Sequence, residues 1–262
     1  VTGPVAEVPR VAVVTGANRG IGRAIAVALA ADGFAIAATA RDPETLTDTV
    51  EEVEKVGAAC AALACDVRDE ESVAAMAAAA GELGTVHTVV ANAGIAGPTA
   101  PLHEITLAQW RDTLAADLDG VFLTFRAFVP GLMTRAGGSL IAISSMTGKR
   151  PLHGRTPYAA AKLGVIGLVR TLAVELGPHG VRVNAVCPGA VAGPRIEDVI
   201  RNQATARGIT EAEALAAFTS ASPLGRLVRA DEVAHTCAFL ASDRAASITG
   251  EDVNVTAGVV MY

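Results

Sequence analysis

The chain has no surplus of basic residues. Its 21 Lys and Arg are outnumbered by 27 Asp and Glu, a formal net charge of -6 over 262 residues, so it carries no electrostatic footprint for nucleic acid or an anionic membrane. Cysteine is sparse: Cys60, Cys65, Cys187 and Cys237 form no CxxC pair, and the five histidines are scattered. Neither a zinc site nor a disulfide framework is suggested, and a reducing cytoplasm is the expected setting. Long apolar runs are also lacking. The segment AIAVALAADGFAIAATA is cut by Asp32 and Gly33 well short of a membrane span, and residues 1 to 9 lack the basic start and apolar centre of a signal peptide. Those first residues are expected to be a flexible arm, followed by one domain over 10–262, a length that supports a well-developed core.

What is present is an alternation. VAVVTG, AIAATA, CAALACD, TVVANAG, SLIAISS, VRVNAVCPG and EDVNVT read as strands, the first six continuously apolar as buried parallel strands should be. Helical patterns lie between them. Repeated βαβ units of this kind predict an α/β fold: a Rossmann-like, doubly wound parallel sheet with helices on both faces. The alanine-rich stretch at 71–80 reads as a helix packed closely on the sheet. Residues 193–226 depart from the rhythm, with too much chain for a plain connection, and a substrate lid is expected over 194–222.

The first strand runs into TGANRGIGRAIAVALAADG. Gly16, Gly20 and Gly22, with Asn18, Arg19 and Ile21 between them, fall where a strand turns into a helix, so the backbone can approach a pyrophosphate and the helix N-terminus can face its charge. The spacing is G-x3-G-x-G, which a tight turn alone also explains. At the end of the second strand stands Arg41. With Arg19 it offers two guanidiniums for a 2′-phosphate, whereas a ribose hydroxyl calls for an acid. Asp42 is the competing acid, but DPETL has the cap, proline and acidic residue of a helix start, so Asp42 reads as a cap. NADP(H) is therefore the expected cofactor, with NAD(H) as the alternative.

In TPYAAAKLGVIG, Thr156 is a plausible N-cap and Pro157 fits the first helical position, which places Tyr158 and Lys162 four apart on one helix face. A lysine among alanines, Leu163, Val165 and Ile166 needs a partner or a task.

Taken together, TGANRGIG, CDV at 65–67, ANAG at 91–94, Ser145 in ISS, YAAAK at 158–162 and PG at 188–189 resemble the short-chain dehydrogenase/reductase family, in its shorter single-domain type and similar to ketoacyl and carbonyl reductases. The resemblance covers about residues 10 to 262. It implies a seven-stranded parallel sheet, a nicotinamide cofactor and hydride transfer between carbonyl and alcohol. Tyrosine is an acid of pKa about 10, and a lysine one turn away, an oxidised nicotinamide and a helix N-terminus all favour the phenolate. Tyr158 is thus the expected acid/base, with Lys162 supporting it and holding the nicotinamide ribose. Ser145 is expected to polarise the substrate oxygen; Ser144 is the alternative for that role. Carried over by motif, Asp66 and Val67 contact the adenine end, Asn92, Ala93 and Gly94 run along the cofactor, and Pro188, Gly189 and Val191 line the nicotinamide side.

Three positions depart from the family pattern. Asp117 replaces the usual asparagine associated with a water-linked proton path to the lysine, and is counted here with the catalytic group. Gly193 stands where a threonine is common, and VTAGVVMY replaces an Asp-Gly-Gly run. Ile95, Ala96, Met146, Thr147, Leu152 and His153 are expected around a small carbonyl or alcohol substrate. His153 and Arg155 are candidates for a polar or anionic group, although loop residues of this kind are more often solvated. The expectation is an NADP(H)-preferring carbonyl reductase or secondary-alcohol dehydrogenase. The alternatives are an NAD-dependent polyol or hydroxysteroid dehydrogenase and a non-catalytic nucleotide sensor. Long helices are expected over about 106–134 and 156–177, apolar over much of their surfaces, and the resemblance implies that they pair between subunits in a homotetramer, or a homodimer.

Overall fold

A computed structural model describes residues 8–262. Seven strands form one parallel sheet: β1 (Arg10–Thr15), β2 (Ala35–Ala40), β3 (Cys60–Ala64), β4 (Thr85–Ala91), β5 (Gly138–Ile143), β6 (Val181–Pro188) and β7 (Asp252–Val255), in spatial order β3-β2-β1-β4-β5-β6-β7. Period-2 alternation sends neighbouring side chains of one strand to opposite faces. In β1, Ala12 and Val14 enter one core and Val11 and Val13 the other; in β2, Ile36 and Ala38 oppose Ala35 and Ala37 in the same way. Helices α1 (Gly20–Ala31), α2 (Thr47–Lys55) and a late helix, Ala230–Ala241, cover the first face. The second is covered by α3 (Glu70–Glu82) and by two further helices, Gly120–Thr134 and Thr156–Leu176. The alanine-rich helix α3 packs on the sheet through Val73, Met76 and Ala80.

Two expectations need correction. The third strand is apolar but not fully buried, because β3 is an edge strand whose Ala62 and Ala64 are exposed. The long helical stretch from 106 to 134 is not one helix. It is α4 (Leu107–Leu114), a π turn over Ala115–Asp119, and α5 (Gly120–Thr134). The π turn adds a residue to the helical repeat, a feature that recurs at functional sites, and it carries Asp117. Most of the expected arm, residues 1–7, lies outside the described residues. Pro9 is held, its carbonyl accepting from the Thr85 N–H at 2.9 Å.

After α6 (Thr156–Leu176), the long segment past β6 folds as α7 (Pro194–Arg207) and α8 (Glu211–Ser220). Gly193 opens it at φ 136°, a backbone region that favours glycine. The two helices share a small core of Ile200, Ala204 and Ala214, and α9 (Ala230–Ala241) follows. Among the described residues no helix is long and apolar enough to cross a membrane.

Candidate active site

Chain order reverses about β1, since β2 lies on one side of it and β4 on the other. A parallel sheet opens a crevice at such a point, at the carboxyl ends of its strands. Thr15 ties the crevice together: its hydroxyl accepts from the Asn92 and Ala93 N–H groups, each at 3.0 Å. Asn92 Nδ2 donates back to the carbonyls of Thr15 and Gly16 at 2.8 and 3.0 Å. Backbones pack so closely here that a Cβ on Gly22 would overlap the Gly16 carbonyl oxygen and one on Gly16 would lie 2.9 Å from Ala93 Cα. Gly16 and Gly20 hold φ of 64° and 55°. Ile21 packs its side chain on the sheet-face core, and Asn18 takes the Arg23 guanidinium on its carbonyl at 2.8 Å.

No side chain caps the N-terminus of α1, whose N-cap is Arg19, so first-turn N–H groups are open toward the crevice. Arg19 and Arg41 are exposed, and neither pairs with a carboxylate within 4.0 Å among the described residues. Asp42 accepts from the Glu44 N–H at 3.0 Å as the cap of the following 3-10 turn. Asp66 is half-buried and chelated by Arg68, whose guanidinium holds its carboxyl below the usual range; Val67 is buried against Gly120. Gly189 passes Thr256 where a Cβ would lie 3.0 Å from the Thr256 Cα. Pro188 ends β6, and Val191 pairs with Val228 in an isolated parallel bridge. An open helix N-terminus, a glycine cradle and two free guanidiniums fit a nicotinamide dinucleotide.

Further along the crevice, α6 places Tyr158 and Lys162 together, with Lys162 Nζ 5.6 Å from the Tyr158 ring centre. Lys162 is 3% exposed. Its ammonium donates to the Ile143 carbonyl at 3.0 Å and stands 4.0 Å from Asp117 Oδ2. Asp117 is fully buried; Oδ1 accepts from the Ile95 N–H at 2.7 Å and Oδ2 has no hydrogen-bond partner. Gly94 is required beside them, since a Cβ there would lie 2.6 Å from Asp117 Oδ1. Two hydroxyls are bonded differently. Ser144 donates to the Lys162 carbonyl at 2.7 Å, anchoring α6 to the end of β5, whereas Ser145 Oγ accepts from the Thr147 N–H at 3.1 Å and keeps its own proton to donate. This division leaves the Ser145 hydroxyl, and not that of Ser144, with a proton to donate.

A cavity of about 200 Å³ opens between the loop after β5 and the α7–α8 pair. Met146, Thr147 and Leu152 line it; Ile95, Ala96 and His153 do not. His153 is exposed, and its carbonyl accepts from the buried Gln203 amide of α7 at 2.8 Å. Arg155, a sequence candidate for a polar or anionic group although such loop residues are more often solvated, is only 3% exposed. Its spacing three residues before Tyr158, the interval that places side chains on one helix face, was the available signal. Gln203 gave no such signal.

A family model described as Enoyl-(Acyl carrier protein) reductase matches residues 16–260. A cis-4-hydroxycyclohexanecarboxylate dehydrogenase of Sinomonas cyclohexanicum is 39% identical over 250 residues, covering 95% of this chain and 96% of its own. Two solved structures are also similar. A variant actinorhodin polyketide ketoreductase with NADPH has a TM-score of 0.92 and 34% identity, covering 97% of this chain and 98% of its own. Carveol dehydrogenase from Mycobacterium avium in complex with NAD has a TM-score of 0.90 and 33% identity, covering 98% and 99%. The chain belongs to the short-chain dehydrogenase/reductase family. It is an NAD(P)-dependent oxidoreductase acting on CH–OH and C=O groups.

The Gly22 contact gives a direct test of the cradle. Gly22→Ala inserts a methyl group between Gly16 and Asn92, an overpacking worth about 1–3 kcal/mol. We expect a lower melting temperature and at least a tenfold weaker Kd for NADPH and NADH alike; unchanged binding by fluorescence titration contradicts a cradle at this position.

Proposed function

We propose that the chain is an NADP(H)-preferring reductase of ketones, or dehydrogenase of the matching secondary alcohols, with Tyr158 as its acid/base. The observation that carries the reading is the buried Lys162 ammonium fixed beside the Tyr158 ring, at the end of the crevice that fits a dinucleotide. The nicotinamide supplies the hydride, or accepts it in the reverse direction. Ser145 donates a hydrogen bond to the substrate oxygen and polarises it, while the Tyr158 hydroxyl hands its proton to the alkoxide that develops there. Lys162 favours the phenolate left behind and holds the nicotinamide ribose. Asp117 tempers the lysine's charge and contributes to the return of the proton.

Arg19 and Arg41 take the 2′-phosphate of NADP(H); support comes from their exposure, from the absence of an ion-pair partner for either among the described residues, and from the commitment of Asp42 to its own turn. Asn92, Ala93 and Gly94 lie along the cofactor, Asp66 and Val67 at its adenine end, and Pro188, Gly189 and Val191 at the nicotinamide. The α7–α8 pair serves as a lid over the substrate. The exposed apolar side chains Leu107, Phe122, Leu163 and Val174 on α4, α5 and α6 are covered in a homotetramer.

Two measurements test this reading. Titration with NADPH and NADH at one ionic strength is expected to show tighter NADPH binding, with the preference lost in an Arg19→Ala, Arg41→Ala double variant; a preference for NADH makes the arginine assignment wrong. Tyr158→Phe is expected to lower kcat for ketone reduction by roughly 10²–10⁴, the ordinary contribution of a positioned acid, with cofactor Kd little changed. Undiminished turnover would sink the mechanism.

A further inference from the structure

Arg155 closes the loop that leads into α6, three residues before Tyr158. Its guanidinium is wedged against the reaction centre. Nη2 donates to the Ala96 carbonyl at 2.6 Å and Cζ lies 4.7 Å from the centre of the Tyr158 ring. The residue is 3% exposed, and Nε is buried with no hydrogen-bond partner. Among the described residues no carboxylate lies within 4.0 Å of it. No carboxylate neutralises it: the Tyr158 oxygen, when it carries charge, is the strongest attraction it meets, Arg195 adds repulsion, and the weaker attraction of Asp117 comes from a carboxylate committed to the Ile95 N–H and facing Lys162. Desolvation accordingly pulls the Arg155 pKa below the usual arginine range.

A guanidinium has five N–H donors, and a buried one is normally paired, because an uncompensated charge away from water is costly. Here one donor is used by Ala96 and one face by the tyrosine ring. A planar carboxylate is the ligand that supplies both the missing charge and the missing acceptors, in the bidentate geometry arginine favours. We propose that Arg155 is a specificity-determining residue that binds the carboxylate of a keto-acid or hydroxy-acid substrate whose reacting carbon lies at Tyr158. The inference rests on the reading of Tyr158 as the acid/base and adds a substrate class to it. The cavity between the loop after β5 and the α7–α8 pair, which neither Arg155 nor Tyr158 lines, agrees in sign. Arg150, Arg207 and Arg226 line it, no Asp or Glu does, and only Arg226 is neutralised, by Glu232. Such a rim attracts anions toward the site.

The test compares each of three oxo acids with its methyl ester: acetoacetate, levulinate and 4-oxocyclohexanecarboxylate, which differ in the separation of carboxylate and ketone. With the intact chain and saturating NADPH, at least one acid is expected to exceed its ester in kcat/KM by tenfold or more. Arg155→Met should erase that preference by raising KM for the acid 30-fold or more, with a much smaller effect on the ester. Arg155→Lys should recover part of it. Unchanged NADPH affinity in both variants shows that the fold and crevice are intact. Equal losses for acid and ester, or no acid preferred by the wild type, overturn the proposal. Should no ketone turn over, calorimetry of the same acids with the NADP⁺ complex decides. Binding that disappears in Arg155→Met sustains the carboxylate site while the acid/base reading fails; binding that is absent, or equal in the two proteins, overturns the carboxylate site.

Discussion

An ammonium group that is almost completely buried must find acceptors, and the placement of Lys162 organises the candidate active site. The Ile143 carbonyl at the end of β5 takes one of its protons. Ser144 fixes the lysine's own carbonyl, so helix α6 is bonded to the same strand end through both side chain and backbone. Gly148 allows the turn after β5 to press on that helix, since a Cβ there would lie 2.8 Å from the Lys162 carbonyl carbon. The remaining charge faces Asp117, brought into the interior by a π turn between two α-helices. Tyr158, one helical turn earlier, inherits its position from this arrangement.

The other half of the crevice is built from close backbone approach. Thr15 and Asn92 join the ends of β1 and β4, and Gly16, Gly22 and Gly94 leave out the side chains that would fill the gap. Elsewhere alternate apolar side chains bury both faces of the sheet, and the buried Ser139 and Asn184 of β5 and β6 donate to the Leu240 and Ile248 carbonyls. The α7–α8 pair, by contrast, packs on a small core of its own and meets the loop after β5 through the Gln203 amide.

Much of this was legible in the sequence because it depends on local pattern. Continuous apolar runs separated by helical stretches give the parallel sheet, and the Tyr158 to Lys162 interval puts both side chains on one helix face. Long-range features were less legible. The edge position of β3 is a property of strand order, which apolar composition does not encode. The π turn at 115–119 has no local signature in AADLD and shows itself only when α4 and α5 are placed on the sheet. Arg155 reads as a loop cation until Ala96, 59 residues away in sequence, is seen to close over it. The exposure of Arg19 and Arg41 is compatible with the sequence reading because each follows a strand end or lies in the glycine loop, where a side chain has no core to enter.

The pairing of Lys162 with a carboxylate where the family usually has an amide is the central physical claim, and Asp117→Asn tests it most directly. Asparagine can still accept from the Ile95 N–H, so the fold and turnover should persist. Combined with Lys162→Met and the double variant, this substitution closes a cycle of unfolding free energies measured by denaturant melts. Groups in direct contact couple by about 0.5–3 kcal/mol, so the double variant should lose less stability than the two single losses added together. Losses that simply add contradict the account.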